Sequence, residues 1–207
     1  MSTKTDFDDM METFSSLTIL SDNAPIIKHG KNSKSEIVEY GINFDSKEEL
    51  DFYEWILEAK KFGFIESFEY QPQSFILFDG IKNDKNKLII RPHIYTADFK
   101  IKFTNKWSEF AKLHKLKAFS KLFPDDSTVY CDVKGGFSLH GGSREFSINQ
   151  KWMLSKFGIY VYKIEIPKFF NLAWLPESLI LTRKTKKISK RYSGIKTFKS
   201  LESSIKH

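Results

Sequence analysis

Val129-Tyr130-Cys131-Asp132-Val133-Lys134-Gly135 reads as a short strand in which a carboxylate and an amine stand two residues apart. Successive side chains of a strand point to opposite faces, so Asp132 and Lys134 share a face with Tyr130, while Val129, Cys131 and Val133 share the other. One face suits a core and the other suits chemistry. The pattern recurs upstream in Tyr95-Thr96-Ala97-Asp98-Phe99-Lys100-Ile101-Lys102-Phe103, where Ala97, Phe99, Ile101 and Phe103 make the apolar face and Asp98 opens the polar one. Two such strands side by side gather two carboxylates and an ammonium around one point. Hard cations such as Mg²⁺ take carboxylate, carbonyl and water oxygens, so this point reads as a divalent cation site.

Downstream, residues 146–157 have a helical pattern and residues 159–166 alternate as a strand. Strand, helix, strand in succession implies a parallel crossover. Upstream, residues 37–44 read as a strand interrupted at Gly41. Ser46 with Glu49 three residues on is a capping-box signature, opening a helix that runs to about Phe62 and stops at Gly63. Glu49 is open to two readings: a capping carboxylate bonded to the backbone, or a third acidic ligand at the start of a helix packed on the sheet. Residues 65–71, 74–79 and 88–91 read as strands of an antiparallel meander. Residues 104–126 carry Trp107, Phe110, Leu113, Leu116, Phe119 and Phe123 at helical intervals, an insertion ending near Pro124 that packs on its own core or serves as a dimer or DNA contact. The expected fold is α/β, a mixed central sheet flanked by helices with one helical insertion.

Composition sets the outer limits. The chain has 207 residues, a formal charge of +7 and 15% aromatic residues, enough for one domain with terminal appendages and suggestive of a polyanionic partner. The one cysteine, Cys131, excludes an intramolecular disulfide framework and a multi-cysteine zinc site, and suits a reducing cytoplasm. The first residues are polar and acidic, so no signal peptide is expected, and no apolar run is long enough for a membrane span. His29, His93, His114 and His140 are scattered as surface or packing residues, and no Ser-His-Asp grouping stands out. The expected organisation is a flexible acidic arm over residues 1–35, a domain over 36–181 and a basic tail over 182–207. The arm, alternatively, is autoinhibitory or binds a partner. The tail, from Arg183, reads either as solvated chain or as a polyanion-binding segment, and the composition favours the second. The run 135–144 is glycine-rich with Ser138, His140 and Arg144, a flexible connection or a set of phosphate donors.

The order helix with Glu49, hairpin strand with Asp98, Asp132-Val133-Lys134, then helix and strand resembles the PD-(D/E)xK nuclease superfamily. Within it, residues 44–49, 95–99 and 132–135 look like phage-type endonucleases related to Holliday-junction resolvases, and the resemblance covers residues 40–166. It implies a metal-dependent endodeoxyribonuclease acting on branched DNA as a homodimer, without a membrane, in the cytoplasm of a host if phage-encoded. Alternatives are a general, restriction-like or recombination DNA nuclease without junction specificity, and a non-catalytic DNA-binding module on the same fold. By the same resemblance Asp98, Asp132, the Val133 carbonyl and Glu49 hold Mg²⁺ or Mn²⁺. Glu49, Asp98, Asp132 and Lys134 are the catalytic set, with Lys134 positioning or deprotonating the attacking water, and the expected products are a 5′-phosphate and a 3′-hydroxyl. Lys47, Ser138, Arg144 and Lys151 are the expected substrate contacts. Relatives often carry two lysines in the helix after the motif, where this chain has Asn149 and Lys151.

Overall fold

A computed structural model describes residues 37–119, 127–135 and 142–203, all within one unit, Glu36–His207. The expected acidic arm and Ser138 lie outside the described residues.

The chain enters by a hairpin. β1 (Ile37–Glu39) pairs with β2 (Ile42–Phe44), and Tyr40 and Gly41 both take positive φ, +56° and +73°. That pair of left-handed residues is what a two-residue hairpin turn requires, so Gly41 marks a reversal and not a break in one strand. Helix α1 (Lys47–Lys61) follows. Ser46 Oγ accepts from Glu49 N at 3.1 Å, and Gly63, at φ +76°, ends the helix. Tyr53 and Phe52 pack edge-on against Phe68 and Phe99 of the sheet. Trp55 meets Phe169 and Trp174 from the C-terminal part. With cover on two sides, the helix is buried nearly all round.

The central sheet has the order β10-β9-β8-β3. β3 (Ile65–Tyr70) runs antiparallel to β8 (Phe99–Phe103), β8 antiparallel to β9 (Thr128–Gly135), and β9 parallel to β10 (Val161–Ile166). Helix α3 (Gly142–Phe157) makes the crossover. Both faces of β9 are buried, as a central strand between two helical layers must be. Val129, Cys131 and Val133 join the cluster around α1, while Tyr130 packs with Phe146, Met153 and Val161 on the α3 side. The fold is therefore a mixed α/β sheet.

Two details depart from the expected meander. Between β3 and β8 the chain leaves the sheet and forms separate ribbons, β4 (Phe75–Phe78) with β7 (His93–Tyr95) and β5 (Ile81–Lys82) with β6 (Leu88–Ile90). The strand expected from Tyr95 to Phe103 is thus two strands, bent at Asp98. Its partner bends opposite, where Gln71 at φ +46° donates its N–H to Asp98 O at 2.7 Å. The helical insert is α2 (Asn105–Leu113) only, shorter than expected, because Lys115 at φ +53° turns the chain out of the helix. Phe119 reaches the core beyond that turn, and Trp107 packs on Phe103 and Trp55, so the described part of the insert serves this chain's own core. Residues 120–126 lie outside the described residues.

The expected basic tail is folded through Ser203. α4 (Lys168–Leu172), two 3₁₀ turns (Glu177–Leu179 and Lys190–Tyr192) and α5 (Phe198–Ser203) bring Leu179, Tyr192, Phe198 and Leu201 into the main core. Two of its arginines, Arg183 and Arg191, pair with acids of α1. Asp51, 0% exposed, takes Arg183 at 2.8 Å, Arg191 at 3.5 Å and the Tyr192 hydroxyl. Arg191 also pairs with Glu48 at 2.7 Å. Removing one partner of a buried ion pair exposes the uncompensated charge of the other. Arg183→Ala is expected to lower stability by about 2 kcal/mol, softened by Arg191 and Tyr192, and to show as a lower urea midpoint with unchanged slope.

Candidate active site

Asp98 stands where the chain re-enters the sheet. Its N–H donates to Cys131 O at 3.0 Å, and its Oδ2 accepts from Val133 N at 2.6 Å. Residues two apart in a strand present N–H and C=O to the same edge. Because Cys131 O and Val133 N both face Asp98, the Val133 carbonyl faces it too. Phe99 pairs with Cys131 across the antiparallel ladder, which sets Asp98 opposite Asp132.

Asp132 is 4% exposed. Its Oδ2 accepts from the Tyr95 hydroxyl at 3.1 Å, and its Oδ1 is in direct contact with the Lys134 ammonium, which is partly exposed. Asp132 and Lys134 thus share a face, as the period of the strand demands. Glu49 is 5% exposed at the start of α1. Its carboxylate accepts from Ser46 Oγ at 2.8 Å, Tyr70 OH at 2.8 Å and Asp45 N at 3.2 Å. The capping reading of Glu49 is the one these contacts show, and its charge also acts on Asp98. Glu48, the neighbouring acid, turns away to Arg191.

The electrostatics follow from crowding. Burial, then the charges of Asp132 and Glu49, push the Asp98 carboxyl up to about 8, against the opposing pull of Val133 N–H and Lys134. Burial likewise raises Glu49, offset in part by Ser46 and Tyr70. Burial disfavours the Lys134 ammonium, but its hydrogen bond to Asp132 and the charges of Asp132, Asp98 and Glu145 outweigh this and raise its pKa. Burial and Asp132 raise the Tyr95 phenol, which stays a neutral donor.

Among the described residues no group of three or more His, Cys, Asp or Glu side chains is placed to hold a metal ion. Mg²⁺ does not need one: it is held by one or two carboxylates, waters and substrate phosphate oxygens. Asp98, Asp132 and the Val133 carbonyl form an all-oxygen set of that kind, and a cation there would relieve the repulsion that raises Asp98. The donors fit the group.

Of the expected substrate contacts, Lys47 and Arg144 are exposed in the first turns of α1 and α3, and Lys151 is exposed further along α3. Asn149 is buried, its Oδ1 bonded to His93 Nε2 at 2.7 Å, so its side-chain oxygen is committed within the fold. Three residues of the site escaped the sequence reading. Tyr95 opens the strand expected to carry Asp98, with no sign in the sequence of its bond to Asp132. Tyr70, paired with Phe99, and Glu145, whose charge acts on Lys134, are placed by tertiary contacts. No sequence signal marked Glu145, because the crossover helix begins at Gly142, ahead of the pattern over residues 146–157.

Residues 29–118 match a family described as a protein of unknown function (DUF1064). The match takes in Glu49 and Asp98 and stops short of Asp132 and Lys134. No curated protein and no solved structure matches this chain.

Proposed function

We propose that this chain is a metal-dependent endodeoxyribonuclease of the PD-(D/E)xK kind that cuts branched DNA as a homodimer. One observation carries the reading: Asp98 and Asp132 face each other across the β8–β9 pair, and Lys134 lies against Asp132 on the same face. The chain order of α1 with Glu49, Asp98 just before β8, β9 with Asp132 and Lys134, then α3 and parallel β10 agrees with the order that the resemblance implies.

Asp98, Asp132 and the Val133 carbonyl would hold Mg²⁺ or Mn²⁺, with the charge of Glu49 acting on Asp98 beside them. Such an ion, when bound, acidifies a water and offsets charge on the scissile phosphate. Tyr95 fixes the orientation of Asp132 through Oδ2. Lys134, held as the ammonium by Asp132, is a donor: it positions the attacking water and stabilises charge growing on the phosphate. Its raised pKa favours that role over proton abstraction. A resolving cut needs two such sites acting on opposing strands, hence the dimer.

The test is cleavage of a labelled four-way junction beside a matched linear duplex, in Mg²⁺ and in EDTA. Paired, metal-dependent nicks confined to the junction are expected. Equal cleavage of both substrates would replace the junction enzyme by a general nuclease, and tight binding without any cut would reject catalysis.

A further inference from the structure

β7 joins the candidate active site to a second cluster. Its side chains alternate, so His93 and Tyr95 share a face. Tyr95 reaches Asp132, while His93 Nε2–H donates to Asn149 Oδ1 at 2.7 Å and its ring stands nearly perpendicular to Trp152, centroids 5.7 Å apart. Trp152 is 39% exposed, whereas Trp55, Trp107 and Trp174 are fully buried. An indole half out of the fold yet braced by a fixed imidazole has lost its side-chain freedom in advance. It is a flat apolar surface held in place.

The surroundings are cationic. Arg144, Ile148 and Trp152 recur every fourth residue along α3 and form one stripe, with exposed Lys151 beside it. The single acid of this helix, Glu145, acts on Lys134. A strand of nucleic acid has the complementary make-up, phosphates for the basic side chains and a π-face for the indole.

We infer that Trp152, braced by His93 and Asn149, is a stacking platform for an unpaired base next to the scissile phosphate. The inference rests on the nuclease reading and deepens it, since a base can reach the indole only where the strand is unpaired, as at a branch or a frayed end.

Because the other three tryptophans are buried, the emission of Trp152 reports on its own surface. Titration with a short single-stranded oligothymidylate in EDTA is expected to quench this emission, and inorganic polyphosphate, which has charge but no base, is expected to leave it unchanged. Trp152→Ala should weaken oligothymidylate binding about tenfold, and Trp152→Phe should recover most of it. Quenching by polyphosphate, equal binding by the alanine variant, or an emission change on raising protein concentration without oligonucleotide, which would assign the face to a second copy, each overturns the platform. The two readings fail separately. Quenching in a chain that never cuts in Mg²⁺ removes the nuclease and keeps the platform; cutting with unaltered Trp152→Ala binding does the reverse.

Discussion

Asp132→Asn is expected to reduce metal-dependent cleavage by about a thousandfold or more, and Lys134→Met by about as much, but for separable reasons. Asparagine keeps the acceptor for Tyr95 and removes the charge that serves both the metal and Lys134. Mn²⁺ binding followed by calorimetry should fall with the activity. Methionine at position 134 leaves Asp98 and Asp132 in place, so Mn²⁺ binding should persist or strengthen while cleavage under single-turnover conditions is lost. Retained cleavage in Asp132→Asn would sink the site. Equal loss of Mn²⁺ binding in both variants would make Lys134 a structural partner of Asp132 and no more.

Asp98→Asn is expected to inactivate the chain and stabilise it. The folded carboxyl has its pKa raised to about 8, from an ordinary value of 3.8, chiefly by burial and then by Asp132 and Glu49. Between those values the folded chain binds more protons than the unfolded one, so stability falls as pH rises from about 4 to about 8 and levels off beyond. Asparagine cannot ionise and still accepts from Val133 N. In EDTA the variant should match the parent near pH 4 and exceed it by about 2 kcal/mol or more at pH 8, read from urea midpoints across the pH series. With Mg²⁺ present the gap should narrow, because only the parent gains from binding the ion at that carboxylate. A variant no more stable than the parent at pH 8 would show that the Asp98 charge is already compensated in the metal-free fold. Stability given up at a site is what a binding centre built from like charges requires.

The legible parts of this chain are local ones. The face shared by Asp132 and Lys134 follows from the two-residue period of a strand, and the Ser46–Glu49 cap from one turn of helix. The parallel crossover through α3 follows from strand, helix and strand in sequence. The packing of the segment from Arg183 was not legible for the opposite reason: Arg183 and Arg191 pair with Asp51 and Glu48, which lie 132 and 143 residues away in the chain. Local composition carries no trace of pairing over such a separation. The bend at Asp98 likewise depends on Gln71 across the ribbon.

Which residues share a strand face or a helix turn could be read from the chain alone, since covalent geometry settles that within a few residues. It took the folded chain to set Asp98 opposite Asp132, Tyr95 and Tyr70 on Asp132 and Glu49, and Arg183 and Arg191 on the acids of α1. Those placements depend on strand order and long-range packing, where groups far apart in the chain find the charge or hydrogen bond that burial obliges them to satisfy.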